Sequence, residues 1–109
     1  MTEEELQAAV LELAGYLGWR TAHFRPAQTR SGNWVTPVAA DGAGFPDLCM
    51  TRERLIMVEL KSAKGTLRPE QMEWRAALDV AGVEYHVWRP AEWLDGTIEA
   101  VLHQSSPAS

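Results

Sequence analysis

Two short apolar runs, residues 47–51 and 55–61, separated only by Arg52, Glu53 and Arg54, constrain this chain more than any other stretch. A three-residue polar connection between such runs reads as a β-hairpin. The connection sets the register: if Thr51 faces Leu55, then Cys49 faces Met57 and Asp47 lies directly opposite Glu59. Side chains alternate across a strand, so Asp47, Glu59 and Lys61 project from one face, and Leu48, Met50, Ile56, Val58 and Leu60 from the other. Opposed residues have β-carbons about 4.5–5.5 Å apart, which lets two carboxylates share one hard cation. Left uncompensated, the pair would repel.

Each half of this pattern has an ordinary explanation. A lone Glu-x-Lys on a strand is usually a solvated face with a weak ion pair, and a Pro-Asp pair such as Pro46-Asp47 usually marks a turn or the entry to a strand. Together, at a spacing that sets both acids face to face, they point to a site.

The rest of the chain gives a coarse αβββαβα order. Leu6, Val10, Leu13 and Leu17 recur at helical spacing over residues 3–17, and Gly18 ends that helix. On a helical wheel Glu3 lies about 50° from the centre of this stripe, whereas Glu5 and Glu4 lie about 110° and 150° away, so only Glu3 points toward the sheet. Acids near a helix N-terminus are also favoured by the macrodipole alone. Residues 19–24 read as the first strand. An irregular stretch follows over residues 25–46, with three prolines and three glycines; loops of that length usually serve a function. It carries Arg25, Arg30 and Trp34 and is expected to line a binding channel, with room for a short hairpin over 33–38. A polar connection, 62–68, leads to Pro69 in the first turn of a second helix that runs to Ala81 and stops at Gly82. Its expected core face is Trp74, Ala77, Leu78 and Ala81, and Gln71 falls one turn earlier on that face. The alternative role for Gln71 is to close a capping box, which requires Ser or Thr where Arg68 stands. Residues 84–88 make the last strand, and Pro90 leads into a terminal helix carrying Trp93, Leu94, Ile98, Val101 and Leu102. His23, His86 and His103 have no metal-ligand spacing; His86 reads as a satisfied core residue, and His23 is placed to touch phosphate.

At 109 residues, 46% of them hydrophobic, the chain has room for one domain, residues 1–103, with a polar tail over 104–109. The single Cys49 cannot form an internal disulfide, no run approaches a membrane span and the N-terminus is acidic, so a cytoplasmic location is expected. The net charge of −5 argues against a nucleic-acid partner until its distribution is considered. Residues 1–19 and 76–109 each carry −4, whereas residues 20–75 hold nine bases and six acids. Phosphate contacts are therefore expected from Arg25, Arg30, Lys64 and Arg68. These bases could equally be solubilising surface.

The ordered set Gly44-Phe45-Pro46-Asp47-Leu48, Glu59-Leu60-Lys61, Pro69-Glu70-Gln71 and Trp88-Arg89-Pro90 resembles the PD-(D/E)xK nuclease superfamily, in particular the small stand-alone phage-type members of its VRR-NUC branch. The resemblance runs from Glu3 to about Leu102. It implies a restriction-endonuclease-like α/β fold, an αβββαβα core with a central mixed sheet flanked by helices. It further implies Mg²⁺, with Mn²⁺ able to substitute, held by Asp47, Glu59 and the backbone carbonyl of Leu60. By the same resemblance Lys61 would position or activate the attacking water and Gln71 would support the site. Glu3, Leu6 and Gln7 match the family's Glu-x-x-Leu-Gln pattern, which implies that Glu3 completes the metal site directly or through water. Arg68 departs from the Ser or Thr that many relatives carry, and is an additional candidate for a phosphate contact.

The expected function is a Mg²⁺-dependent, structure-selective DNA endonuclease similar to Holliday-junction resolvases, leaving 5′-phosphate and 3′-hydroxyl ends. Two symmetric cuts in a four-way junction call for two sites, hence a homodimer. Two alternatives remain at this stage: a nuclease of the same fold acting on flaps, nicks or specific duplex sites, and a non-catalytic DNA-binding protein on a nuclease-like fold.

Overall fold

The computed structural model describes residues 1–24, 27–28, 30–35 and 39–105, the side chains of 27, 28, 34 and 35 excepted. In chain order the elements are α1 (Glu3–Tyr16), β1 (Arg20–His23), β2 (Ala27–Gln28), β3 (Trp34–Val35), β4 (Leu48–Thr51), β5 (Leu55–Leu60), α2 (Pro69–Val80), β6 (Glu84–Trp88), α3 (Pro90–Leu94) and α4 (Thr97–His103). The main sheet has the order β1-β4-β5-β6. Its first three strands are antiparallel, and β6 returns parallel to β5 after crossing through α2. This mixed four-stranded sheet between helices is the expected α/β architecture, with a small β2–β3 hairpin inserted and the terminal helix in two pieces.

The β4–β5 hairpin has the register its connection predicts: Thr51 pairs with Leu55, Cys49 with Met57 and Leu48 with Val58. Leu48, Met50, Ile56, Val58 and Leu60 are all buried, and with Leu6, Val10, Ala14, Trp19, Ile98 and Leu102 they form the core under α1, α3 and α4. Each such aliphatic side chain contributes about 1.5–3 kcal/mol through burial. The opposite face carries Glu59, and α2 covers it only in part: Gln71 and Leu78 are buried there. α1 starts with a reciprocal cap, in which Thr2 Oγ1 accepts from the Glu5 N–H and Glu5 Oε1 accepts from the Thr2 N–H. Beyond its end Gly18 adopts φ +85°, the left-handed conformation that stops the helix.

Several expectations need correction. The first strand is shorter than 19–24, because Trp19 is drawn into the core, where its indole N–H donates to the Leu102 carbonyl. The small hairpin pairs residues 27–28 with 34–35, so it starts earlier than the expected 33–38; residues 36–38 of that expectation lie outside the described residues, as do Arg25, the Trp34 side chain and the end of the tail, 106–109. Gly96, at φ +85°, breaks the terminal helix and leaves Leu94 77% exposed, where a continuous helix would have placed it on the apolar stripe. On α2, Ala77 and Ala81 face solvent. Trp74 leans on Phe45 with an indole N–H bond to the Asp41 carbonyl, so the core face is narrower than its periodicity implied. His86 is only partly buried; it bonds Glu84 and stacks on Trp88.

The hairpin turn is itself a structural joint. Arg52 donates to the carbonyls of Leu17, Leu102 and Gln104, and Arg54 to those of Val101 and Gln104. Arg54 also pairs with Glu84 at 2.8 Å, and both guanidinium groups lie over the Trp19 ring. Two helix C-termini thus hand their unpaired carbonyls to one turn. Among the described residues no helix is long and apolar enough to cross a membrane.

Candidate active site

The opposite end of the hairpin is organised by a proline. The Lys61 N–H donates to the Trp88 carbonyl, so residues of that parity on β5 bond toward β6, while Leu60, like Val58 and Ile56, directs its backbone groups toward β4. Beyond the Leu48–Val58 pair, the residue facing Leu60 would be Pro46, which has no N–H to donate. The Leu60 carbonyl is therefore left without a ladder donor. The Leu60 N–H turns to a side chain instead, donating to Asp47 Oδ2 at 2.8 Å. Pro46 is fully buried, which fixes this ending of the ladder in place.

Glu59, only 2% exposed, stands against Asp47 on the α2 side of the sheet. Gln71 holds it: its Nε2 donates to Glu59 Oε1 at 2.9 Å, while its Oε1 accepts the Arg68 N–H at 2.9 Å. The Arg68 N–H can only donate, so it requires the Gln71 oxygen on its side and turns the amide nitrogen toward Glu59. The capping role and the site role of Gln71, set out above as alternatives, are thus both filled, and the cap needs no Ser or Thr at Arg68. Burial pushes the Glu59 carboxyl up to about 8, and the charge of Asp47 pushes in the same direction, against Lys61. Glu3, at the start of α1, reaches the same place: burial and then Asp47 raise its carboxyl, and Lys61 opposes them. The helix, the hairpin and α2 therefore bring Glu3, Asp47, Glu59, Lys61 and Gln71 together.

Glu59 Oε2 is buried and has no hydrogen-bond partner; the other two such side-chain atoms among the described residues, Thr21 Oγ1 and Trp88 Nε1, are neutral. A buried, unpartnered carboxylate oxygen next to a second carboxylate and a strand-end carbonyl is a donor set that suits a hard divalent cation. Among the described residues no three His, Cys, Asp or Glu side chains gather closely enough to hold an ion by themselves. Glu3 thus stands within the electrostatic field of the Asp47–Glu59 pair and outside a three-carboxylate cage.

Gly44 couples the loop before Asp47 to α2. Its φ is +83°, and a β-carbon there would lie 2.5–2.8 Å from the backbone of Glu70 and Gln71. The sequence offers this residue only as part of a motif; the close approach that demands glycine depends on a helix turn 26 positions later.

The expected phosphate contacts are more scattered. Lys64 and Arg68 are exposed on the 62–68 connection beside Lys61, with Arg68 paired to Glu70 at 3.3 Å. Arg30 is exposed in the turn between β2 and β3, and Arg25 lies outside the described residues. Sequence reasoning missed Tyr85. In β6 it pairs with Met57 and so shares the face of Glu59, a placement readable from the alternation of 84–88 once the parallel pairing is known.

A VRR-NUC domain family model matches residues 30–92, more than half of the chain. No curated protein and no solved structure gives a significant match.

Proposed function

The chain belongs to the VRR-NUC family, a PD-(D/E)xK-type family of nuclease domains, and from that premise we propose that it is a Mg²⁺-dependent DNA endonuclease selective for branched substrates, similar to Holliday-junction resolvases. The observation that carries this reading is the buried Glu59 Oε2, left without a partner beside Asp47. Asp47, Glu59 and the Leu60 carbonyl would hold Mg²⁺, or Mn²⁺ in its place. Bound there, the ion would offset charge on the scissile phosphate and lower the pKa of a water. Gln71 keeps Glu59 aimed by donating to the oxygen that the ion does not need. Lys61 supplies a positive charge at the same face for the phosphate and a group for moving the attacking water's proton. Glu3 orders that water from the α1 side.

The central basic segment supports DNA as the partner, and its modest excess of positive charge favours local contacts over indiscriminate binding. One domain carries one site, so paired cuts in a junction imply a two-fold homodimer, working in the cytoplasm. Synthetic four-way junctions, flaps, nicked and linear duplexes, each with and without Mg²⁺, test the reading. Junction cleavage in symmetric pairs that requires the metal is expected, with a dimer in light scattering. Equal cleavage of all four substrates would remove the junction selectivity, and cleavage undiminished in EDTA would remove the metal.

A further inference from the structure

A groove of about 690 Å³ opens between the 62–68 connection, the exposed flank of α2 and the start of β6. That size is typical of a small-molecule or nucleotide site. Its floor is apolar, formed by Leu67, Met72, Ala76 and Val83, and Met72 is 57% exposed although it lies on a helix with a buried face elsewhere. Arg75 and Arg89 rim it, and among the described residues neither forms an ion pair. Arg89 is steadied by two hydrogen bonds to the Gly65 carbonyl, which leaves its charge uncompensated. Asp79, one turn beyond Arg75, is the single acid among the lining residues.

This groove joins the candidate active site through Tyr85. The β5–β6 register sets Tyr85 beside Met57 and Val87 beside Glu59, so Tyr85 stands one rung from the catalytic pair on the same face while also lining the groove. Burial, and then the field of Glu59, pushes its phenol up to about 12, against Arg75, whose guanidinium is 5.8 Å from the ring centroid. Tyr85 is thus a fixed hydroxyl and ring in the path between the two places.

We propose that the groove binds an unpaired nucleotide next to the scissile phosphate, its base on the Leu67, Met72 and Ala76 floor beside Tyr85 and its phosphate between Arg75 and Arg89. The proposal rests on the nuclease reading for what lies next door and deepens it, because it names a strand feature that flaps carry and that a four-way junction offers where bases at its crossover open. A duplex hides the flat faces of its bases and offers phosphates and groove edges, so it has no use for an apolar floor. An unpaired base has such a face, and stacking on it is worth enough to change affinity about tenfold or more.

Two substrates with the same scissile strand test this, one carrying a single-stranded flap at the cut and one fully paired across a nick. 2-Aminopurine at the first unpaired position reports groove entry in EDTA. The parent protein is expected to quench the probe and to prefer the flap. Ala76→Trp, which fills the groove, and Arg75→Ala should each lower the flap-to-nick ratio of kcat/KM about tenfold, and Ala76→Trp should abolish quenching; Val80→Ser, exposed on the same helix outside the groove, should leave the ratio unchanged. Equal loss on both substrates, or an unchanged ratio, overturns the proposal. So does an Ala76→Trp variant whose ratio is unchanged but whose dimer falls apart in light scattering, since a second copy would then occupy the groove. If the parent cuts neither of these substrates nor a four-way junction in Mg²⁺, while quenching is present and lost in Ala76→Trp, the nucleotide site stands and the nuclease reading falls.

Discussion

The two ends of the β4–β5 hairpin are built from the same kinds of residue and treat charge in opposite ways. At the turn, Arg52 and Arg54 find Glu53, Glu84 and the carbonyls of two helix ends, so each charge is answered. At the strand entry, Asp47 and Glu59 face each other with Glu3 nearby, and one buried oxygen is left without a partner. A network of satisfied charges holds elements together. An arrangement that concentrates like charge and shields it from water stores a demand for something absent from the chain, and such places are where perturbed carboxylates serve chemistry. The contrast gives each end its own signature: the turn should govern stability, the entry turnover.

The largest effect that could break this contrast is on catalysis. Asp47→Asn keeps a hydrogen-bond acceptor for the Leu60 N–H and removes half of the anionic pair, so cleavage should fall by about 10²–10³-fold or more while the folded state survives in urea titration. Cleavage at the parental rate at equal Mg²⁺ would mean that the entry is not the active site.

Next in size is the pH dependence of cation binding. Glu59 is pushed from its ordinary 4.5 to about 8 in the folded protein, so a proton and a cation compete for it. Below pH 8, Mg²⁺ affinity should rise about tenfold per pH unit and one proton should be released per ion, as calorimetry in buffers of different ionisation enthalpy would reveal. The linked stability has a definite sign. A raised carboxyl pKa means that the metal-free fold holds a proton the unfolded chain gives up; this contribution is complete below pH 4.5 and lost as pH climbs through about 8. Mg²⁺ should restore it at the alkaline end. Metal-free stability that rises across this window would contradict the burial of the pair.

At the turn, Arg54→Ala should cost about 3 kcal/mol. Its side chain is 7% exposed, and its loss takes from Glu84 its guanidinium partner and from the carbonyls of Val101 and Gln104 one of their donors. Turnover per folded molecule should stay near the parental value. A variant that folds normally and loses activity would reverse the assignment of the two ends.

How much of this could be read beforehand follows the range of the interactions. The facing of Asp47 and Glu59 was legible because a three-residue connection and five alternating core residues leave one pairing that buries all five. Gln71 was legible as a residue on the inner face of α2, though not as a cap and a clamp at once. Arg52 and Arg54 read only as a polar turn, since the carbonyls they bond lie 35–52 positions away at helix ends that no local pattern marks, and Glu84 lies 30 positions on at the start of β6. The break at Gly96 escaped because a single glycine within an apolar periodicity does not reveal its φ. Tyr85 and the groove needed the parallel β5–β6 pairing, a contact between segments separated by a whole helix.

Gly44→Ala carries the smallest expected effect and sharpens the contrast most. The residue belongs to neither end of the hairpin, yet it touches the backbone from which Gln71 reaches Glu59. A non-glycine residue at φ +83° costs about 1–2 kcal/mol, and the new methyl group would sit 2.5 Å from the Glu70 backbone, too close to stay without displacing it. The first turn of α2 must then shift outward, and the Gln71 amide loses its line to Glu59. Misplacement of this kind should lower turnover about tenfold, with Mg²⁺ affinity reduced because Glu59 is no longer aimed. Adding Gln71→Ala to Gly44→Ala separates the two parts of the effect. If glycine acts on catalysis through Gln71, the double variant should be no slower than Gln71→Ala alone, while its stability should still show the strain. Fully additive losses in turnover would show that the loop before Asp47 serves the entry by a route other than Gln71.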